Sequence, residues 1–473
     1  MPLVMGVDSS TQSTKVEVRD ADTGALVAEA RAPHPPTTPP RSEQDPYAWW
    51  EAFERAVAQV SDGVDLGEVG AIAVAGQQHG MVVLDGHGDV IRPAKLWNDT
   101  ESAADARWLI GRLGGPAAWA DACGTVPVAA LTITKLSWLH RSEPDAWARL
   151  ARVCLPHDWL TYRLTGELTT DRGDASGTGY WSPAEGRYRL DLLAVVDGDV
   201  DWLPCLPRVL APEEAAGTTR ALGTEAVVAP GTGDNMAAAL GIALAPGDVA
   251  VSIGTSGTVY AVSDAPTADP TGAVAGFADA TGRFLPLVCT LNATKVTDAV
   301  ARLLGVGHRE LDALASQSEP GARGVVLVPY FDGERVPDRP DATGAVAGLR
   351  SDVTRADFAR AAFEGVVCGL LDGLDALAAA GVDVTGRLVL VGGGARSRAY
   401  RQVLADLSGR PVVVPPGPEH VATGACVQAA AVLHRRPVAE VAAARTPPDA
   451  AVVEPRLVDT ESIRARHRAA AHG

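Results

Sequence analysis

A chain of 473 residues is longer than one ordinary hydrophobic core serves, so two domains or more are expected. With 47% hydrophobic and 21% charged residues it has the make-up of a globular protein, and its net charge of −17 argues against a nucleic-acid or anionic-membrane surface, which needs basic patches. Six scattered cysteines with no CxxC pair point to reduced, mostly buried thiols. No apolar run nears the ~20 residues that span a bilayer and no basic leader opens the chain, which predicts a cytoplasmic protein.

The first element, 3–7, is a short apolar run that ends in Asp8. A turn of hydroxyl and amide side chains at 9–14 leads to an alternating strand at 15–18, and an Asp-Thr-Gly turn leads to a strand at 26–30, so the chain opens as an antiparallel hairpin. Residues 33–40 are proline-rich and extended. A helix is predicted over 47–60, with Asp45 as N-cap and Pro46 at its first position. The strand 69–75 ends in Gly76-Gln-Gln-His-Gly80, where flanking glycines let the backbone crowd a ligand. In isolation His79 also reads as an ordinary loop histidine. Helices follow over 96–112, 131–139, 144–150 and 157–165. Residues 171–178 form a polar loop that either faces a hydroxylated substrate or caps a turn, and 182–226 read as irregular.

Near the midpoint, Gly231 and Gly233 flank a turn that delivers Asp234 and Asn235 to a helix of small residues. A second glycine turn, Gly254-Thr-Ser-Gly-Thr258, lies between strands at 249–253 and 259–262 and restarts the opening scheme of strand, polar turn, strand. Two similar halves are expected, each opening on a phosphate-compatible hairpin turn and facing the other across a cleft. Helices at 293–304, 307–316 and 354–379, strands at 325–328, 388–391 and 412–414, the turn Gly392-Gly-Gly-Ala-Arg-Ser397, and helices to 407 and over 421–433 complete the second half. Residues 436–473 read as a surface tail.

The familiar nucleotide and hydrolase motifs are absent: no G-x-x-x-x-G-K, G-x-G-x-x-G, H-E-x-x-H or G-x-S-x-G occurs. A nucleotide bound here is therefore held by hairpin turns and by residues 392–394, where successive backbone amides form anion-binding nests. Phosphoryl transfer is mostly positioning and charge neutralisation. It needs a metal near the β- and γ-phosphates, which Asp8 can hold directly or through water, magnesium keeping several waters. It also needs an acceptor for the proton of the attacking hydroxyl, which suits Asp234 with Asn235 beside it. A plain N-cap is the other reading of Asp234. At a helix N-terminus its pKa is expected to be lowered by the dipole, a weakness that a late proton transfer tolerates.

Gly344-Ala-Val-Ala-Gly-Leu349 followed by Asp357-Phe-Ala-Arg-Ala-Ala-Phe-Glu364 fills every constrained position of a C-terminal signature. Thr132, Lys135, Trp138 and Leu139 fit a looser N-terminal one, from which Ala130 and Ser142 depart. With Glu43-Gln-Asp45, Leu96-Trp-Asn-Asp99, Asp174-Ala-Ser-Gly-Thr178 and Gly392–Ser397, the chain resembles the FGGY carbohydrate kinases over residues 3–435. The resemblance implies an α/β fold of two actin-like (ribonuclease H-like) ATPase domains with a cleft between them. The sugar-binding domain is expected at 1–244, the nucleotide-binding domain at 245–435 and the tail at 436–473.

The resemblance also implies an ATP-dependent phosphotransferase that uses Mg2+. Asp234 matches the catalytic base and Asn235 a sugar contact. Gln78 and His79 stand where members acting on D-xylulose carry a residue-His-Gly sugar contact, often with Met in place of Gln78; members acting on glycerol carry Arg-Glu there. Asp8 matches the metal and phosphate acid, and Thr11, Gln12, Ser13 and Lys15 the first phosphate loop. Thr255 matches the second phosphate contact, Gly393 and Gly394 the adenine-side backbone, and Arg398 lies where some relatives place Asn. The expected reaction converts D-xylulose and ATP to D-xylulose 5-phosphate and ADP. Ribulokinase or gluconokinase activity is the alternative within the family, and a non-catalytic sugar or nucleotide sensor the alternative outside it. Expected partners are the sugar and ATP, without nucleic acid or membrane; a homodimer is left open.

Overall fold

A computed structural model describes residues 2–219, 221–223, 225–417, 419–446 and 450–472. The chain forms two compact units that are not contiguous in sequence: unit 1 comprises Met1–Ala243, Asp264–Leu285 and His420–Thr446, and unit 2 comprises Leu244–Ser263, Pro286–Glu419 and Pro447–Gly473.

The sheet of unit 1 is built from β1 (Leu3–Ser9), β2 (Ser13–Asp20), β3 (Leu26–Pro33), β4 (Val69–Gly76), β5 (Gly217–Thr219) and β6 (Ala226–Val228), in the order β5-β6-β4-β1-β2-β3. β1 runs antiparallel to β2 and parallel to β4, which places Asp8 between Lys15 and Ala75 at the strand ends. Every residue of β1 is buried, as expected of a strand covered on both faces. Unit 2 uses β7 (Val249–Ile253), β8 (Gly257–Ala261), β9 (Phe284–Thr290, in this unit from Pro286), β10 (Leu388–Val391), β11 (Val412–Val414) and β12 (Ala451–Val453), in the order β9-β8-β7-β10-β11-β12. From β3 or β9 inward, both sheets run antiparallel, antiparallel, parallel, parallel, antiparallel. The restart at residue 249 is a repeat of topology.

Helix α1 (Pro46–Ser61) starts where predicted: the Asp45 carboxylate accepts the Tyr47 amide at 3.0 Å, and Pro46 occupies the first turn. Its buried face, Trp49, Ala52, Phe53, Ala56, Val57 and Val60, follows helical spacing and joins the core under β1–β3. Burying each of the larger side chains is worth roughly 1.5–3 kcal/mol. α2 (Pro156–Thr165), α3 (Arg172–Ser176) and α4 (Asp234–Gly241) carry or support the candidate site in the same unit. In unit 2, α5 (Arg355–Ala379) is capped by Thr354, whose hydroxyl accepts the Asp357 amide while Asp357 accepts the Thr354 amide. α6 (Arg398–Ser408) follows the glycine turn after β10.

α7 (Val421–His434) returns to unit 1 and lies against β1 and α4 through bare glycines. A Cβ on Gly6 would strike the Ala422 carbonyl, one on Gly424 the Ala237 carbonyl, and one on Gly241 the His420 carbonyl.

The segment after 435, expected as a surface tail, is instead part of the fold. A helix spans Val438–Ala444, β12 pairs with β11, and α8 (Thr460–His472) buries Ile463, His467 and Ala471. Arg464 pins α8 to Asp372 and Asp375 at 2.8 and 2.6 Å. Residues 447–449 of that segment lie outside the described residues. The region 182–226, expected as irregular, supplies a helix at Leu190–Val196 and the edge strand β5; Arg220 and Thr224 lie outside the described residues.

Candidate active site

On unit 1 the strand β4 delivers Gln77, Gln78 and His79 from its carboxyl end. Gln78 is buried, and His79 takes the left-handed backbone at φ 66°, a conformation that costs free energy in any residue but glycine. The surroundings hold it there. Its ring lies 5.4 Å from that of Phe277, its carbonyl accepts the Thr132 hydroxyl at 3.2 Å, and the bare backbone of Gly177 packs against its Nδ1.

Gly231 turns at φ 78° and brings Thr232 and Gly233 alongside Ala75 and Gly76 of β4. The helix cap is Gly233 and Asp234 is the first residue inside α4, so Asp234 is not the N-cap. Asn235 Nδ2 donates to Asp234 Oδ1 at 2.9 Å and to Gln78 Oε1 at 2.8 Å, joining the two turns in one network. Gln78 Nε2 is a buried donor without a hydrogen-bond partner among the described residues.

The dipole expectation for Asp234 is overturned. Burial, followed by the charges of Asp8 and Asp174, pushes its carboxyl up to about 7, and the Asn235 hydrogen bonds offset only part of this. A carboxyl with that affinity for protons, joined through Asn235 to the Gln78–His79 turn, is suited to take a hydroxyl proton near neutral pH.

Asp8, buried at the end of β1, accepts the Ser10 hydroxyl at 2.6 Å. In the turn that follows, Gln12 is exposed and Ser13 half-buried. The Thr11 hydroxyl donates to Gln77 Oε1 at 3.2 Å and accepts from Trp97 Nε1 at 2.9 Å, tying this loop to the Gln78–His79 turn. Lys15 sits between Glu17 and Glu29 at 2.9 and 2.8 Å; burial alone would lower its pKa, but these carboxylates raise it and engage its charge. Among the described residues, the cluster of three carboxylates spaced for a metal is Glu43, Asp99 and Glu101, and Lys95 fills it with contacts of 3.1, 3.0 and 2.5 Å.

On unit 2 the turn between β7 and β8 exposes Thr255, whose carbonyl accepts the Ala293 amide at 3.1 Å. After β10, Gly392 turns at φ 83° and leaves Gly393 exposed with open space beside its Cα. Gly394 is buried, and a Cβ there would overlap Ile253, so its bareness serves packing. Arg398 is exposed at the start of α6. Beside it, Arg396, Arg401, Pro415 and Pro416 line a cleft of about 270 Å³.

Family models for the N-terminal and C-terminal domains of the FGGY family of carbohydrate kinases match residues 3–241 and 249–433. The chain belongs to the FGGY carbohydrate kinases. This kinase is 49% identical over 448 residues to the xylulose kinase of Streptomyces coelicolor, with 93% of this chain and 90% of that one covered. The xylulose kinase of Streptomyces rubiginosus is 48% identical over the same length and coverage. The crystal structure of the xylulose kinase from Bifidobacterium adolescentis is similar over 100% of this chain and 99% of that one, at 41% identity and a TM-score of 0.86.

As a carbohydrate kinase of this family, the protein is a phosphotransferase that takes ATP and a sugar as substrates. Among the described residues no helix of the kinase is long and apolar enough to cross a membrane. Phe277 and Arg401 border the two candidate regions without having been singled out in the sequence, and Gln77 and Arg396 lie inside the motifs named above without having been given a role. Phe277 lies some 200 residues from His79, and no spacing rule links them.

Proposed function

We propose that this kinase transfers the γ-phosphoryl group of ATP to a hydroxyl of D-xylulose, giving D-xylulose 5-phosphate and ADP. The observation that carries this reading is the Asp234–Asn235–Gln78 network, which sets a carboxyl with a pKa near 7 beside the Gln78–His79 turn. The names of the relatives that match over nine-tenths of the chain favour D-xylulose as the sugar.

Gln78, His79 and Asn235 of unit 1 hold the sugar, and Asp234 takes the proton from its attacking hydroxyl. The hydroxyl oxygen bonds to the γ-phosphorus as the bond to the bridging oxygen of ADP breaks. Asp8 with Thr11, Gln12 and Ser13 serves the phosphates from unit 1. Thr255, Gly393, Gly394 and Arg398 serve the nucleotide from unit 2. Lys15 is set aside for the carboxylates that hold it. The oxygen donors of Asp8 and its Ser10 partner fit Mg2+, which binds through one or two carboxylates and keeps several waters. Bound there, the metal would supply neutralisation of phosphate charge.

A coupled ADP-release assay over D-xylulose, D- and L-ribulose, L-fuculose, gluconate and glycerol tests the sugar; highest kcat/KM on any but D-xylulose overturns it. The base is tested by Asp234→Asn. A general base contributes roughly 10²–10⁴-fold, so kcat should fall by that factor while nucleotide affinity is retained; near-parental turnover removes Asp234 from the role.

A further inference from the structure

Behind the site lies a buried charge cluster to which the reaction as described gives no part beyond the influence of Asp174 on Asp234. His157, in the first turn of α2, has no solvent exposure. Its Nδ1 is 2.7 Å from Asp174 Oδ2, and its Nε2 is 3.2 Å from Asp158 Oδ1 and 3.9 Å from Asp171 Oδ1. Asp158 and Asp174 are fully buried and Asp171 nearly so. Burial by itself disfavours the imidazolium, but Asp158, Asp174 and Asp171 outweigh it and raise the His157 pKa. Removing such charges from water costs several kcal/mol per ion, and apolar residues of the same volume often serve stability as well or better. The cluster therefore calls for an explanation other than stability.

Its surroundings supply one. A Cβ placed on Gly76 would lie 2.9 Å from His157 Cβ, and one placed on Gly231 would lie 2.6 Å from His157 Cδ2. Gly76 is the last residue before Gln77-Gln78-His79, and Gly231 is three residues before Asp234. Through Nδ1 the same ring holds Asp174 on α3, whose C-terminal cap, Gly177, packs against His79. Asp171, the N-terminal cap of α3, accepts the Thr232 hydroxyl at 2.7 Å, two residues before Asp234. The ring thus packs against the backbone leading to the base-bearing turn, the Cβ and backbone of the same residue pack against the strand end leading to the sugar-contacting turn, and its ion-pair partner sits on the helix that braces both.

We propose that the His157–Asp174 ion pair consists of positioning residues for phosphoryl transfer, setting the spacing between the sugar-contacting turn at Gln78–His79 and the base-bearing turn at Thr232–Asp234. The inference rests on the reading of His79 as a sugar contact and Asp234 as base. An ion pair suits the task because it fixes distance and direction more tightly than an apolar contact, and a displacement of about 1 Å at the reacting groups costs on the order of 10²-fold in rate.

The test compares His157→Leu and Asp174→Ala with the shape-preserving His157→Gln and Asp174→Asn, using the sugar that the assay panel ranks first. His157→Leu and Asp174→Ala are expected to lower kcat at least tenfold and raise the sugar KM at least tenfold, with the ATP KM within twofold of the parent. Asp174→Asn keeps the hydrogen bond to His157 and is expected to recover most of that loss. Three results overturn the proposal. The first is folded His157→Leu and Asp174→Ala with parental kcat and KM. The second is activity that falls only in step with the folded fraction, at unchanged KM. The third is failure of both shape-preserving variants to fold, which makes the pair purely structural. Asp234→Asn assayed alongside separates the two readings: if it is inactive while His157→Leu is parental, the positioning role alone fails; if it is active, the base assignment fails.

Discussion

Asp234 joins two influences of opposite sign, and their balance fixes a measurable pH dependence. The N-terminal dipole of α4 favours the carboxylate, whereas burial and the like charges of Asp8 and Asp174 favour the acid and prevail, holding the pKa near 7. If Asp234 is the proposed base, below that value it is protonated and cannot accept the sugar hydroxyl's proton, and above it the base is present. Activity is therefore lost as pH falls through about 7, about tenfold per unit, where an ordinary aspartate would stay ionised to about 4. A profile of kcat/KM from about pH 5 to about pH 9 should show this acid limb; a flat profile down to about pH 5 contradicts it. The residue itself was legible as a candidate, a lone acid between glycines and a small-residue helix, with a plain N-cap as the other reading. The sign of its pKa shift was not. Local spacing reports the dipole, but the opposing charges arrive from β1 and α3, 226 and 60 residues away.

Elements whose signals are local were readable, and those defined by contact were not. α1 and α5 announce themselves through caps and apolar spacing, so Asp45 and Thr354 mark their starts. α8 did not, since its buried face is only Ile463, His467 and Ala471 amid arginines, and its docking depends on Asp372 and Asp375 of α5. The same limit hid the role of α7, whose alanine-rich sequence says helix but not that it closes on α4 backbone to backbone. Gly424→Ala tests that contact. Its Cβ would meet the Ala237 carbonyl, which cannot rotate away, so overpacking should cost about 1–3 kcal/mol and displace the helix that starts at Asp234. A lower unfolding midpoint and a reduced kcat are expected together. Gly111→Ala is the matched control, since that helical position has open space around it and gains up to about 1 kcal/mol of helix propensity. Equal midpoints for the two variants would refute the close approach.

Taken whole, the molecule uses one strand scheme twice and gives equivalent places in it different work. The hairpin turn after β1 has its counterpart after β7, and the turn after β4, Gln77–Gly80, has its counterpart after β10, Gly392–Ser397. Both follow the carboxyl ends of parallel strands, the side on which open α/β sheets bind ligands. The repeat was legible as strand, polar turn, strand; the assignment of sugar to the first copy and nucleotide to the second came only from the family resemblance, since glycines and hydroxyls occur in both. Amide hydrogen exchange on the intact kinase separates them. A ligand at about 100 times its Kd adds about 2.7 kcal/mol to the closed state, so amides that exchange only by opening its site slow by about 100-fold. D-xylulose should slow 77–80 and 232–235, whereas ADP should slow 254–257 and 392–396. Protection of the unit 2 turns by the sugar would exchange the two assignments. Protection of neither pair of turns would place both ligands elsewhere on the chain.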